Sequence, residues 1–526
     1  MCWRNRWVAA ALLVSGALQA CALAWPWSWG FDEGQAVPVL YATSLIPLVW
    51  ALRQAVSGRQ AAWRAWWYAT AWLVSTFWWL YVSMHTYGGL PAPLAALAVC
   101  LLAAALATYY GLAGGLAWWL SQRAPRLWPV VLAAAWTLAE LARAWLWTGF
   151  PWGAGGYALV DSAGWLAPYL GVYGLGAVVL CGVAWLAGAG PGALWRPQTV
   201  WGGLLGGCLL LWPFVGRELT ARLPTWTESQ GRLPAVLLQG NIPQDDKFRA
   251  DTGLPLALSW YATQARLALA GLGGTPGLVV APETAIPVLP QNLDPAYWQG
   301  YEAMAAPSGA ALLLGVPWGD QARGYTNAAV AWAPGVTGMY RYDKHHLVPF
   351  GEFVPPLFRW FTNLMQIPLG DFQRGGLPQP PLPLDGQWVA PNICYEDLFG
   401  EELARGLVGP GPAPTVLVNL SNIAWFGQTV AVDQHRQIAR MRALELQRPM
   451  LRATNTGATV AIDHLGRVTH ALEPHTRGVL RVDVDGRSGL TPYAWWAGHM
   501  GLWPVFTCCV LVLGWAWRTR FASSRG

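Results

Sequence analysis

Ala65–Gln122 contains no Asp, Glu, Lys or Arg, and neither does Ser488–Trp517. A chain that stays in water carries roughly one charged residue in four, so uncharged stretches of this length constrain the fold before any motif does. A membrane-crossing helix takes about 20 apolar residues, so the first stretch can hold two spans and the second one. The turn-forming cluster Gly88-Gly89-Leu90-Pro91 divides the first stretch. Composition points the same way: the 526 residues are 54% hydrophobic and 11% charged, with 37 tryptophans. Eight spans are expected, near 7–25, 36–52, 65–84, 93–120, 128–147, 165–188, 199–216 and 495–517. Arg4 and Arg6 before the first run could mark a cleaved signal peptide, but the apolar segments that follow directly favour a retained helix.

Arginines set the expected orientation. Arg4/Arg6, Arg53/Arg59/Arg64, Arg123/Arg126, Arg196 and Arg518/Arg520/Arg525 fall in alternate loops or at the termini, whereas the intervening loops, such as Asp32-Glu33 and the turn at 86–93, are nearly free of positive charge. Both termini are therefore expected in the cytoplasm, with 217–494 exported. The net charge of +6 then reflects topology rather than nucleic-acid binding. Of eight cysteines, Cys21, Cys100, Cys181, Cys208, Cys508 and Cys509 lie in apolar runs and Cys2 at the cytoplasmic tip, leaving Cys394 alone in the exported segment. A lone thiol in an oxidising compartment calls for a reason.

From about Leu233 short β-rich runs alternate with helical ones. Strands are expected at 236–242, 277–283, 310–316, 327–333, 389–394, 415–421, 450–455, 459–463 and 479–484, and helices at 254–272, 295–306 and 429–447. This alternation reads as an α/β domain with its site at the carboxyl ends of strands. The predicted organisation is a seven-helix transmembrane domain (1–217), an α/β catalytic domain (233–487) and a C-terminal helix with a cytoplasmic tail (488–526). No metal-spaced Cys/His cluster or phosphate-binding glycine loop is present; "GLGGTPG" at 271–277 precedes a strand and reads as a connection.

Three strand ends carry reactive side chains: Glu283 in "GLVVAPETAIP", Lys344 in "YRYDKHHLVPFGEF" and Cys394 in "VAPNICYEDL". A cysteine nucleophile needs a base to take its proton and a positive donor for the oxyanion formed on attack. Glu283 can be that base and Lys344 that donor. The chain has two lysines, Lys247 and Lys344, and arginine everywhere else, so a compact ammonium at 344 reads as a requirement. Taken singly, the cysteine reads as a packed small hydrophobe, the glutamate as a turn residue and the lysine as a surface pair. Their recurrence after successive strands weighs against that. A helix at 396–407 is expected straight after Cys394, its positive end favouring the thiolate, with Glu396 and Asp397 as first-turn carboxylates. Glu396 could also orient Lys344 or an incoming amine.

"APETAIP", "YDKHHLVPFGEFVP", "NICYED", "SNIAWFG" and "ARMRALELQRPMLRATNTG" resemble the Glu–Lys–Cys motifs of the nitrilase (carbon–nitrogen hydrolase) superfamily. With seven spans before and one after, and with "HLVPFGEFVP" and "LTPYA", the whole chain resembles the bacterial apolipoprotein N-acyltransferase family. The resemblance implies an αββα sandwich on the periplasmic face of the inner membrane. It further implies Glu283, Lys344 and Cys394 as catalytic residues, supported near the site by Glu352, Tyr395 and Glu396, with Phe248, Asn327 and Trp425 as candidate substrate-binding residues. Three positions depart from the family pattern: Ala281 and Phe248 stand where tryptophan is usual, and Ile423 where an acid is common. The first two are expected to keep an apolar wall that tunes acyl packing.

Eight spans exceed what tethering needs, so the substrates are expected to be lipids: a phospholipid acyl donor and a diacylated apolipoprotein acceptor. The acyl group would pass through a Cys394 thioester in a ping-pong scheme without metal or other cofactor. The segment 355–370 could be a lid for acyl chains or an ordinary packed loop. "TGFPWGAGGY" (148–157) is expected to border the lipid's way in, and Glu140 and Arg143 to form an i, i+3 ion pair. A membrane-bound amidase shares the same three residues, and a non-catalytic scaffold need not keep them.

Overall fold

The structure, a computed structural model, describes residues 2–187, 225–320, 324–354 and 372–522. The expected span at 199–216, Arg196 and the candidate lid at 355–370 lie outside them. The chain divides into two compact units: Met1–Tyr81 with Pro91–Pro224 and Leu502–Gly526, and Val82–Leu90 with Thr225–Gly501.

The first unit is helical: α1 (Cys2–Leu23), α2 (Pro38–Arg53), α3 (Gly58–Phe77), α4 (Ala92–Ser121), α5 (Trp128–Trp145) and α6 (Ala167–Leu186). Arg6–Leu23, Ala92–Ser121, Pro125–Thr148 and Gly164–Leu186 are long and apolar enough to cross a membrane. Small residues draw α3 and α4 together. A Cβ on Gly114 would lie 2.6 Å from that of Ala65, and one on Gly115 would lie 3.2 Å from the Gly58 carbonyl. The third expected span began at 65, but α3 begins at Gly58, where the Ser57 hydroxyl accepts the Gln60 N–H and caps the helix.

The expected Glu140–Arg143 ion pair does not form. The chain leaves α5 through Trp147 (φ 58°), Thr148 (φ 77°) and Gly149 (φ 83°) and folds back as Pro151–Val160, buried throughout. Buried backbone needs partners, and these two side chains supply them. Glu140 Oε1 accepts the Gly155 N–H at 3.1 Å, while Arg143 donates to the carbonyls of Phe150 (3.0 Å) and Trp152 (2.6 Å) and to the Tyr110 hydroxyl (3.0 Å). The segment read as bordering the lipid's way in is therefore largely interior to this unit.

The second unit holds two six-stranded sheets. In the first, β12 (Gly478–Gly489), β1 (Thr227–Gln239), β2 (Leu278–Val280), β3 (Ala311–Asp320), β4 (Gly324–Trp332) and β5 (Tyr340–Asp343) lie in that order. The second runs β11 (Val468–Ala471), β10 (Val460–Ile462), β9 (Met450–Thr454), β8 (Val416–Ser421), β7 (Gln387–Ile393) and β6 (Leu382–Leu384). The period-2 alternation of strands separates two cores. Leu233, Ala235 and Leu237 face Val389, Val416, Val418 and Leu451 between the sheets. Val236, Leu238, Val279 and Leu312 pack outward on α7 (Gly253–Leu272) and α8 (Pro295–Ala305) through Ala257, Tyr261 and Tyr301. α9 (Gly400–Val408) and α10 (Ala431–Leu446) follow in the second half of the unit, with α10 against β9.

The expected strand and helix positions match these elements closely. β5, carrying Arg341 and Asp343, is the strand whose end was expected to present Lys344, while two strands have no counterpart in that reading: β6 has three residues, and β11 is an exposed edge. The unit also reaches further than 233–487. β1 starts at Thr227 because Thr227 pairs with Gly489, and α11 (Pro492–Met500) clusters with this unit while α12 (Trp503–Ala522) clusters with the other.

Gly315 on β3 couples this framework to the site. A Cβ there would lie 2.6 Å from the Glu283 Cα, the Pro282 oxygen and the Thr284 nitrogen, none of which is a flexible side-chain end. Gly315→Ala is expected to cost about 1–3 kcal/mol by overpacking and to displace the Glu283 turn; thermal unfolding together with a turnover assay checks both effects.

Candidate active site

Each of the three reactive residues stands just beyond the end of a strand. Beyond β2, the Ala281 N–H donates to Leu313 at 2.9 Å and the Pro282 carbonyl accepts from Gly315 at 3.2 Å, so sheet pairing holds the backbone up to Glu283. Beyond β5, the Lys344 N–H donates to the Asn327 carbonyl at 2.8 Å and extends the β4–β5 ladder by one rung. Beyond β7, the chain turns at Cys394 into a single 3₁₀ turn, Cys394–Leu398.

Lys344 is fully buried. Its Nζ donates to Glu352 Oε1 at 2.9 Å and to Glu283 Oε1 at 3.3 Å. The Asn327 side-chain amide donates to the same two oxygens, each at 2.7 Å. The remaining oxygens accept backbone N–H groups: Glu283 Oε2 from Asn422 at 2.8 Å and Glu352 Oε2 from Val348 at 2.8 Å. Every oxygen of both carboxylates is thus partnered. Burial pulls the Lys344 ammonium down, but Glu352 and then Glu283 outweigh it and hold the pKa above the ordinary lysine range. Asn327 braces these carboxylates rather than presenting its amide to a substrate, because both carboxylates compete for its N–H groups.

Cys394 has φ 52°, in the left-handed region that L-residues rarely occupy. The same conformation recurs beside the other site residues, at Thr284 (φ 52°) and at Phe350 (φ 63°). The Cys394 carbonyl accepts from Asn419 Nδ2 at 3.1 Å. Burial pushes the thiol up to about 12; Glu283 adds to the rise, while Lys344, Ser421 and Arg452 oppose it. The expected activation of a resting thiolate by a helix end is therefore corrected. The element after Cys394 is a five-residue 3₁₀ turn, the α-helix starts only at Gly400, and desolvation outweighs the positive groups.

Glu396 does stand in the first turn, that of the 3₁₀ element, and caps it by accepting the Ile393 N–H, but it reaches further than a cap. It accepts from the backbone N–H groups of Ile393 (2.6 Å), His345 (2.7 Å) and His346 (3.2 Å) and from the Tyr342 hydroxyl (2.9 Å). It ties the Cys394 turn to the loop that carries Lys344. Burial raises its pKa to about 7, against the pull of those N–H donors and Lys344. Asp397, the other first-turn carboxylate, is fully buried against Arg452 at 2.7 Å. The Tyr395 ring is buried near His346 and Phe399, with centroids at 5.7 and 5.4 Å. Phe248 is exposed, and Trp425 meets Tyr87 edge-on at 5.7 Å. Ala281 lies in the core beneath the helices and forms no open wall, and Ile423 is buried where a Cβ on Gly457 would touch it at 2.6 Å. An apolar residue there fills space and needs no counter-charge.

Among the buried groups that escape the sequence reading are Lys247, Asn422, His435 and Asn419. Lys247 donates to the Glu283 carbonyl at 3.4 Å, and burial brings its ammonium down to about 7 despite the Glu283 charge. Its rarity in the chain was the signal that could have drawn attention to it. For the other three, nothing local distinguishes them from ordinary polar residues.

The family profile described as carbon–nitrogen hydrolase matches residues 256–493, and the one described as the apolipoprotein N-acyltransferase N-terminal domain matches 15–185. Fold and site thus place the second unit among the carbon–nitrogen hydrolases. A protein of Verminephrobacter eiseniae named apolipoprotein N-acyltransferase is 51% identical, covering 100% of this chain and 98% of its own. One of the same name from Ralstonia nicotianae is 44% identical over 90% and 88%. The chain belongs to the apolipoprotein N-acyltransferase family. Among solved structures, a CN-hydrolase superfamily protein of Xanthomonas campestris aligns with a TM-score of 0.37 and 17% identity, covering 52% of this chain and 96% of that one.

Below its pKa a thiol gains thiolate about tenfold per pH unit. Alkylation of Cys394 by iodoacetamide is accordingly expected to rise about tenfold per unit between about pH 7 and 9, without a plateau near the free-cysteine value of about 8.5. Lys344→Met removes a charge that lowers the thiol pKa, so it should slow alkylation throughout. It also leaves two carboxylates buried without their cation, at a cost of about 3–5 kcal/mol, measurable by chemical denaturation.

Proposed function

We propose that this chain transfers a fatty acyl group from a membrane phospholipid to the N-terminal α-amine of diacylglyceryl-cysteine apolipoproteins, through a thioester on Cys394. The observation that carries the reading is the buried Glu283–Lys344–Glu352 cluster with the Cys394 thiol inside its electrostatic field. Glu283 takes the thiol proton as Sγ attacks the phospholipid ester carbonyl. Lys344 stabilises the resulting oxyanion. Collapse breaks the C–O bond, Glu283 returns the proton to the departing oxygen, and a lysophospholipid leaves. In the second half, the neutral acceptor amine attacks the thioester carbonyl and forms the C–N bond. Glu283 takes a proton from that nitrogen and gives it to Sγ as the C–S bond breaks.

A resting thiol with a pKa near 12 suits this order, because the proton leaves with the attack and no standing thiolate is exposed to oxidation. The role of Glu352 is to hold Lys344 and, through Asn327, Glu283; Glu396 and Tyr395 support the Cys394 turn. Phe248 and Trp425, aromatic and at least partly exposed, suit contact with an acyl chain. The chain is placed in the bacterial inner membrane with eight spans, the catalytic unit on the periplasmic side and both termini in the cytoplasm. The arginine distribution supports this orientation.

Full-length protein incubated with phospholipid alone should gain one acyl mass on a peptide containing Cys394. Added diacylated lipopeptide should discharge that mass and appear triacylated. Cys394→Ser that stays folded and inserted should lose amide formation by at least about 10³-fold. Release of free fatty acid with no acylated peptide would favour a hydrolase instead.

A further inference from the structure

Behind Cys394 three buried side chains that the proposed chemistry leaves unused close into a ring. Asp397 comes from the 3₁₀ turn, His435 from α10 and Arg452 from β9, and none is more than 1% exposed. His435 Nε2 donates to Asp397 Oδ1 at 2.8 Å, Arg452 Nη1 donates to Asp397 Oδ2 at 2.7 Å, and Arg452 Nη2 donates to His435 Nδ1 at 2.5 Å. A guanidinium can only donate, so Nδ1 accepts and the imidazole proton sits on Nε2. Burial and then the Arg452 charge hold His435 below the usual histidine range, which agrees with a neutral ring. The ring of side chains therefore contains one anion, one cation and one neutral link, and it carries no net charge.

Its position matters more than its charge balance. The ring is joined through Asp397 to the turn whose first residue is the left-handed Cys394. Asp397 lies three residues after Cys394 in that turn, the Cys394 carbonyl accepts from Asn419, and the thiol feels the Arg452 charge. A buried Asp–Arg pair alone would already balance its charges. What the imidazole adds is a rigid connection that leaves α10, bridges the pair and reaches the nucleophile's own turn through Asp397.

We propose that Asp397, His435 and Arg452 act as positioning residues that lock the left-handed turn at Cys394, keeping Sγ directed at Glu283 and Lys344 through both half-reactions. The inference rests on Cys394 being the nucleophile. It adds that the reaction geometry is set from behind the turn as well as from the cluster in front of it.

The test is single-turnover acylation of Cys394 by phospholipid, followed by intact mass on the full chain, with steady-state kinetics for the lipopeptide in parallel. His435→Ala leaves the Asp397–Arg452 pair in place, so it is the variant that removes the link with the least disruption. It should slow acylation about 100-fold, the scale on which small misplacements of reacting groups act, with the phospholipid KM within about twofold of wild type. His435→Gln, which retains a donor toward Asp397, should recover about tenfold of that loss. Arg452→Lys should behave like the alanine variant, since a point charge cannot make the two-pronged contact. Leu480→Ala, in the core between the sheets, should lower the melting temperature without slowing acylation, which separates positioning from bulk stability. Wild-type acylation rates in His435→Ala, equal rates in the alanine and glutamine variants, or a loss confined to KM would overturn the inference while the thioester reading stands. Absence of any adduct on wild-type Cys394 would overturn the thioester reading and this inference together.

Discussion

The arrangement of the site depends on one ammonium group. Lys344 Nζ, without access to water, is shared between Glu283 and Glu352, and the Asn327 amide bridges the same two oxygens. Two carboxylates this close would repel each other strongly in a poorly polarisable interior. The cation and the bridging amide let them coexist with every carboxylate oxygen partnered. That gives Glu283 a single orientation, and it makes the lysine both a structural tie and the proposed oxyanion donor. Arginine would bring five donors in a rigid fork to a place that offers partners for a point charge.

Around that tie, strained backbone recurs in the loops that carry the site residues. Cys394, Thr284 and Phe350 all adopt positive φ, although none is glycine and threonine is β-branched. Such conformations cost about 1–3 kcal/mol each and persist only where the surroundings over-determine them. Here the surroundings are identifiable. β3 backbone presses on the Glu283 turn at Gly315, Glu396 gathers three backbone N–H groups from two loops, and the Asp397–His435–Arg452 ring backs the Cys394 turn. Stability stored in the two cores is spent on holding three turns in geometries they would not adopt alone.

Much of the fold was legible in the sequence because hydrophobic period and charge depletion are local properties. The strands leading to Glu283 and Cys394 and the helices at 254–272 and 429–447 follow from runs of a few residues. β6 and β11 were not legible, since one has three residues, the other is an exposed edge, and both owe their conformation to a neighbouring strand. Glu140 and Arg143 show the limit from another direction. Spacing suggested that they pair with each other, but the chain folds back and brings bare carbonyls and an N–H that bind them separately.

What the sequence determined by itself was the chemistry available: an apolar chain with membrane-length helices, an α/β unit, and one glutamate, one lysine and one cysteine after successive strands. Those are properties of residue type and order. The tertiary structure decided the protonation and direction of each group, because both depend on burial and on partners far along the chain. It placed Glu352 on Lys344 and bridged Glu283 to Glu352 through Asn327, made the first-turn carboxylates Glu396 and Asp397 buried anchors as well, and kept the resting thiol protonated. Desolvation and long-range hydrogen bonding leave no mark on a local stretch of sequence, so only the folded chain could reveal them.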